Sequence, residues 1–407
     1  MQKPDNNPNT ESPPLRGDLG GLVYLIAGEP SGDILASRLM KAIRKKHPET
    51  QFFGIGGETM KAEGFNTLFN IKDLSIMGVM EVIPKLPVIL RHRKEVLRDI
   101  EKVQPDVIVT VDSWGFINSI LKNLKKRGCN IPKVHYVAPQ VWAWKKGRAK
   151  KAAQLMDHLM TLLPNEPPYF EKYGLDCTFV GHPVIENTAN LPTDITLLRA
   201  QAGIPENARV LCVLPGSRHS EVSKLAPVFV ESIKRLNKEI PNLFLLIPSV
   251  ETMKEQINEY FKNIGIPYQL ITGQQARYEA FCMSEFALAA SGTVSLELTA
   301  CGTPHIIAYT FNPLTNKLVD LLVTAKYANL INVLADRFII PEFTLRKCNA
   351  DLIVPEVLSF LQNKEKCNTQ IIQAQEQLAK LKPVDELPSE KAAETVLLAA
   401  MSNRDGC

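Results

Sequence analysis

The chain has 407 residues, 45% of them hydrophobic and 22% charged, with a formal net charge of +4. That length favours two domains, and the composition is that of a globular protein, which excludes collagen-like, coiled-coil and wholly disordered readings. So small a net charge gives no global argument for nucleic acid, and local basic clusters must carry any electrostatic signal. Cysteines stand at 129, 177, 212, 282, 301, 348, 367 and 407 with no Cys-x-x-Cys pair, and no His-x-x-x-His pair occurs. Zinc chemistry therefore has no support, and the thiols read as reduced and mostly buried.

Residues 1–20 are rich in Asn, Pro and Ser and lack the apolar stretch of a secretory signal. They are expected to form a disordered tail on a cytoplasmic protein. Short apolar runs then alternate with helical stretches, at Leu22–Ala27, Phe52–Ile55, Asp106–Val111, Lys133–Val137, His158–Leu163 and Thr178–Val180. After a polar stretch around Leu191–Asn207 the series restarts at Val210–Leu214, Leu243–Pro248, Tyr268–Thr272, Phe286–Ala290 and Ile306–Tyr309. Uninterrupted apolar strands separated by helices are the mark of parallel sheets covered on both faces. Two doubly wound α/β domains are expected, over 21–187 and 188–365, facing each other across a ligand cleft. Thr369–Leu381 and Ser389–Met401 read as closing helices within 366–407 that return to the first domain. The uncharged run Leu298–Asn316 is broken by Gly302, Pro304 and Pro313, so no transmembrane segment is expected.

The first strand ends in Gly28-Glu29-Pro30-Ser31-Gly32-Asp33, and the following helix carries Leu35, Leu39 and Ile43 on one face. A strand–glycine–helix turn offers unpaired N–H groups to an anion, although a plain tight turn explains it equally. The spacing is neither that of a dinucleotide loop nor that of a P-loop. Phe53-Gly54-Ile55-Gly56-Gly57 reads as a turn. Asp112 follows an apolar strand, where open α/β sheets bind ligands, and is a candidate general base or a helix cap. The run Met77, Val79, Met80, Val82, Ile83, Leu86, Ile89 and Leu90 precedes Arg91 and Arg93, which suits a surface that grips lipid chains and anionic head groups, or else a buried helix with a solvated end. Trp142 and Trp144 beside Lys145, Lys146, Arg148 and Lys150 suit phosphate, sugar, a membrane surface or single-stranded nucleic acid; core tryptophans beside a basic helix start are the plainer alternative.

In the second half, Gly216-Ser217-Arg218 closes one strand, and the guanidinium fork suits a diphosphate. Ser291-Gly292-Thr293 closes another and leads into a helix bearing Glu297, whose carboxylate can accept two ribose hydroxyls. Jointly these loops point to a nucleotide diphosphate. His182 and His219 read as ordinary loop residues.

In order and spacing, Ala27-Gly-Glu-Pro-Ser-Gly-Asp33, Met77-Gly-Val-Met-Glu-Val82, Tyr136-Val-Ala-Pro-Gln-Val-Trp-Ala-Trp144, Val180-Gly-His-Pro183, Leu214-Pro-Gly-Ser-Arg218 and Ser291-Gly-Thr-Val-Ser-Leu-Glu297 resemble the lipid-A-disaccharide synthase family over about residues 22 to 400. The resemblance implies a GT-B fold of two Rossmann-like domains and an inverting, metal-independent transfer without cofactor. The implied donor is UDP-2,3-diacylglucosamine and the implied acceptor 2,3-diacylglucosamine 1-phosphate. It further implies a peripheral site on the cytoplasmic face of the inner membrane, no nucleic-acid partner, and admits a homodimer. By the same resemblance Asp112 is the base, Glu29 and Ser31 serve catalysis or placement, and Arg218, Glu297 and Asn332 lie near UDP, which Gly216, Ser217, Ser291, Gly292 and Thr293 of the two loops would also bind. The apolar run and the two tryptophans form the acceptor and membrane side.

Two positions depart from the family pattern. Asp112-Ser113-Trp114-Gly115-Phe116 stands where Asp-x-Pro-Asp-Phe is common, and Ile331 stands where a Pro often precedes the later Asn. The alternatives are another UDP-sugar enzyme of the same fold, such as a UDP-N-acetylglucosamine epimerase, a basic-patch RNA-binding protein, and a dehydrogenase, which the first loop's spacing disfavours.

Overall fold

The computed structural model describes residues 21–71, 79–141, 147–189, 191–311 and 326–405, with backbone alone over 79–85 and 403–405. Met77, Trp142 and Trp144 lie outside the described residues, as do the side chains of Val79, Met80, Val82 and Ile83. The chain forms two compact units, one running to Pro183 and resuming at Pro383, the other spanning Val184–Lys382.

In the first unit β1 (Leu22–Ala27), β2 (Gln51–Ile55), β3 (Val107–Val111), β4 (Lys133–Tyr136), β5 (His158–Thr161) and β6 (Asp176–Phe179) form one sheet in the order β2-β1-β3-β4-β5-β6. Every pairing is parallel. β1 and β3 are buried along their whole length, which is why they read as unbroken apolar runs rather than alternating ones. The Pro30–Lys46 helix starts with proline, whose missing N–H would be unpaired there anyway. It buries Leu35, Leu39 and Ile43 against the sheet.

Asp33 of that helix is buried. Its carboxylate accepts the backbone N–H groups of Gly57 (2.7 Å), Thr59 (2.8 Å) and Met60 (3.1 Å) and the Thr59 hydroxyl. It thereby caps the Glu58–Ala62 helix and ties the loop after β1 to the loop after β2. Gly54 sits at φ +117°, and a Cβ there would stand 2.0 Å from the Leu25 carbonyl oxygen, so this glycine is demanded by close strand approach.

The second unit repeats the design with β7 (Arg209–Leu214), β8 (Leu243–Pro248), β9 (Tyr268–Ile271), β10 (Phe286–Ala290), β11 (His305–Tyr309) and β12 (Glu342–Thr344), in the order β12-β11-β10-β7-β8-β9. β12 escapes sequence reading because its three residues carry a glutamate and no apolar run. The helices over Lys364–Ala379 and Pro388–Asp405 part company. The second packs on the Pro30–Lys46 helix, with Ala392, Ala393 and Val396 in that core. The first stays with the second unit, contrary to the expectation that both return. Its buried Gln370 accepts from the His305 backbone N–H (2.8 Å) and donates to the His305 carbonyl (3.0 Å), a bond to β11 that apolar spacing could not reveal.

Asp33→Ala leaves three backbone donors uncapped, and should lower stability by about 2–3 kcal/mol in urea denaturation. Ser31→Ala, two residues earlier, should shift the midpoint far less; equal shifts would show that Asp33 is not the clamp.

Candidate active site

Each sheet begins on an interior strand, so each has one place where the chain winds outward in both directions. In the first unit that place is between β1 and β3. Helices leaving adjacent strand ends toward opposite faces open a crevice there, where open α/β sheets take their ligands. The loop after β1 and the turn after β3 meet at this crevice, and Ser31 Oγ donates to Asp112 Oδ2 at 3.0 Å. Glu29 is the exposed N-cap residue of the Pro30–Lys46 helix. Gly32 packs so tightly on β3 that a Cβ would lie 3.0 Å from the Val111 carbonyl oxygen. Gly32 thus lets Ser31 reach Asp112.

Asp112 is not a helix cap. The N-cap of the Trp114–Lys126 helix is Ser113, which makes no side-chain cap bond. Asp112 and Ser113 both have left-handed backbones (φ +53° and +43°), as does Val137 after β4 (φ +83°). Such conformations cost about 1–3 kcal/mol each and gather at functional sites. The turn is held by the Asp112 N–H donating to the Tyr136 carbonyl at 2.9 Å. One residue below, paired in register, Thr110 Oγ1 and His135 Nδ1 lie 2.7 Å apart. Burial pulls the His135 imidazole down to about 4, so a neutral ring underlies the Asp112 turn. His182, expected to be an ordinary loop residue, is also buried, which brings it to about 4.

In the second unit the corresponding crevice lies between β7 and β10. The two loops singled out by sequence, Gly216–Arg218 and Ser291–Thr293, close these very strands. Gly216 has φ +120° and Gly292 φ +151°. Ser217, Arg218, Gly292 and Thr293 are exposed, as a ligand would require. Beneath the first loop lies a residue that sequence reasoning missed, Glu221. It accepts from the Ser217 N–H (3.1 Å), from Arg218 Nη1 (3.1 Å) and from the Tyr309 hydroxyl (3.4 Å). Its place one turn into the His219–Glu239 helix was the signal available.

Glu297 is buried, and one of its oxygens, Oε1, accepts from Arg277 Nη2 at 2.7 Å and the Tyr278 hydroxyl at 3.1 Å. Burial raises its pKa, against the pull of Arg277 and Tyr278. Asn332 is wholly buried. Its carboxamide oxygen accepts the N–H groups of Ile339 (2.8 Å) and Ile340 (2.9 Å), and its nitrogen donates to the Ile340 carbonyl (2.8 Å) and Glu342 Oε1 (2.7 Å). That uses its full hydrogen-bonding capacity, so Asn332 supports the site and does not face a ligand. Glu342 in turn accepts from the Ala328 N–H (2.9 Å), and the Ala328 carbonyl accepts from Ser291 Oγ (3.2 Å). A second buried chain holds the other side of this loop. His305 Nδ1 faces the Thr303 carbonyl (3.0 Å), which can only accept, so Nδ1 carries the proton. Its Nε2 then accepts from Ser295 Oγ (2.7 Å), which accepts from Asn329 Nδ2 (2.6 Å). Burial keeps this ring neutral, at about 4.

Of the apolar run, Leu86 and Leu90 are 47% and 37% exposed, Ile89 is half-buried and Arg91 is exposed. Arg93 differs from expectation: it is half-buried and donates to Ser119 Oγ at 3.1 Å, on the neighbouring helix. No helix among the described residues is long and apolar enough to cross a membrane, and no cluster of three or more His, Cys, Asp or Glu among them is arranged to hold a metal ion.

Two parallel α/β units, each with two loops meeting at its switch point, define a GT-B fold. Solved structures agree with that fold. A putative UDP-N-acetylglucosamine 2-epimerase from Listeria monocytogenes aligns at TM-score 0.62 and 14% identity over 95% of this chain and 97% of that one. MurG of Acinetobacter baumannii aligns at TM-score 0.56 and 12% identity over 93% and 99%. The sequence goes further: the family described as lipid-A-disaccharide synthetase matches residues 23–396. The lipid-A-disaccharide synthase of Paramagnetospirillum magneticum is 43% identical over 379 residues, 92% of this chain and 97% of that protein. The chain belongs to the lipid-A-disaccharide synthase family.

His135, His182 and His305 lie near 4 when folded, against 6.5 as the ordinary value. Between those values the unfolded chain binds more protons, so stability should fall as pH drops from about 6.5 toward about 4. Glu297 works in the opposite sense, one group against three. A denaturation midpoint that stays flat across this window would show that the imidazoles are not held neutral.

Proposed function

We propose that this chain transfers 2,3-diacylglucosamine from its UDP derivative to the 6-hydroxyl of 2,3-diacylglucosamine 1-phosphate. The products are the β-1′,6-linked disaccharide 1-phosphate and UDP. The observation that carries the reading is the family match over residues 23–396, which takes in both switch-point loop pairs. In this mechanism Asp112 takes the proton of the acceptor hydroxyl as its oxygen attacks the anomeric carbon. The bond from that carbon to the diphosphate breaks, the electron pair leaves with UDP, and the configuration inverts. Ser31, by donating to Asp112 Oδ2, holds the carboxylate in one orientation. Glu29 lines the same loop.

On the donor side, Arg218 offsets the charge that develops on the leaving diphosphate, and the Gly216 and Ser291–Thr293 loops hold its oxygens. Glu297 receives the ribose hydroxyls. Asn332 acts indirectly, through Glu342 and Ala328, on Ser291. Asp112 is the base in this reading although Gly115 stands where a second carboxylate is common in the family.

In this reading the chain works peripherally on the cytoplasmic face of the inner membrane, where acylated substrates lie. Support comes from the exposed Leu86 and Leu90 beside Arg91 and Lys94, an apolar edge flanked by cations.

Purified protein given both acylated sugars should release UDP and form disaccharide, with chelator present; no disaccharide under those conditions would sink the reading. Asp112→Asn should lose roughly a hundredfold or more in kcat with little change in UDP affinity, since a general base contributes on that order. A near-normal rate would move the base elsewhere. Replacing Leu86 and Leu90 with Ser should reduce co-sedimentation with anionic vesicles, and unchanged partition would argue against this edge as the docking surface.

A further inference from the structure

We infer that Arg277 and Tyr278 are positioning residues for the nucleotide, gripping one oxygen of Glu297 so that the other is presented to a pair of vicinal sugar hydroxyls. The inference rests on the assignment of Glu297 to the nucleotide made above.

Both residues lie near the start of the Gln274–Met283 helix, which begins after Gly273 at φ +95°. The Arg277 N–H bonds back to the Gly273 carbonyl at 3.2 Å, so the glycine sets where the arginine leaves the backbone. Its guanidinium lies over the Tyr278 ring, 5.6 Å from the centroid, which fixes the two side chains relative to each other. Their donors converge on the same atom, Glu297 Oε1, at 2.7 Å and 3.1 Å. For Oε2 no hydrogen-bond partner is found among the described residues. A carboxylate only 9% exposed strongly disfavours its charge unless a cation stands beside it. Arg277 supplies that cation, and the Tyr278 phenol, kept protonated by burial and by the neighbouring carboxylate, supplies a neutral donor.

A purely structural salt bridge would be expected to satisfy its own groups. Here Arg277 Nε is buried with no hydrogen-bond partner among the described residues. An unmet buried donor costs stability, so the arginine is held for its contact with Glu297 rather than for a full set of bonds. One oxygen fully occupied and one left over is the arrangement that two adjacent hydroxyls can complete.

The test compares UDP with 2′-deoxy-UDP by calorimetry on the full chain. Wild type should prefer UDP by roughly tenfold or more, because the deoxy compound forgoes a hydrogen bond to a charged acceptor. Arg277→Gln should bring that ratio close to one and raise KM for the donor more than it lowers kcat, while Arg277→Lys should keep most of the preference. Tyr278→Phe, which removes a single oxygen, should lower the ratio partway and serves if Arg277→Gln does not fold. Retention of the wild-type ratio in Arg277→Gln, or in Tyr278→Phe where Arg277→Gln does not fold, would overturn the inference, whatever happens to melting temperature. A wild-type chain that turns over both acylated sugars yet shows no preference would also overturn it, together with the role of Glu297. Loss of turnover in the wild type would instead strike the proposed function.

Discussion

The constraint on which the rest depends is that each sheet starts in its interior. β1 and β7 each have neighbours on both sides, so the chain must build outward one way, return, and build outward the other. With every strand parallel, right-handed crossovers then send consecutive helices to opposite faces. The crevice left between them lies at the strand ends where that reversal occurs. All the polar loops singled out as donor or base loops close the strands beside these crevices: β1 and β3 in the first unit, β7 and β10 in the second.

The two crevices are furnished differently. The first holds a carboxylate on a strained turn, with Asp112, Ser113 and nearby Val137 all in left-handed backbone. That strain persists because the Asp112 N–H is tied to β4 and Gly32 brings the helix start against β3. It suits a group that must stand at one angle to a hydroxyl. The second crevice has glycine at its bends and exposed loop residues, with a carboxylate below the first loop, Glu221 under Arg218, and Arg277 paired with the buried Glu297. It suits an anion that is gripped by backbone and released.

Buried polar chains do the supporting. Asn332, Glu342 and Ala328 lead to Ser291, while His305, Ser295 and Asn329 brace the far side of the same loop. Each member has its partners, so the network is rigid rather than costly. Asn332, first read as lying near the ligand, turns out to be spent inside the protein, and Arg93, first read as surface, is half-buried and bonds Ser119. Glu221, Arg277, Tyr278 and Glu342 were invisible to motif reading, since charged and aromatic residues at helix starts or short strands occur everywhere.

The sequence by itself determined the two-unit α/β design, eleven of the twelve strands and the loops at both switch points. Apolar runs of strand length between helical stretches favour a parallel sheet covered on both faces, and glycine at strand ends is a local demand of the backbone. Tertiary structure alone decided the rest. Which side chains touch depends on strands far apart in sequence coming into register, as Ser31 does with Asp112 and Arg277 with Glu297. It also decided that the helix over Lys364–Ala379 stays with β11, because a buried glutamine, not an apolar face, makes that choice.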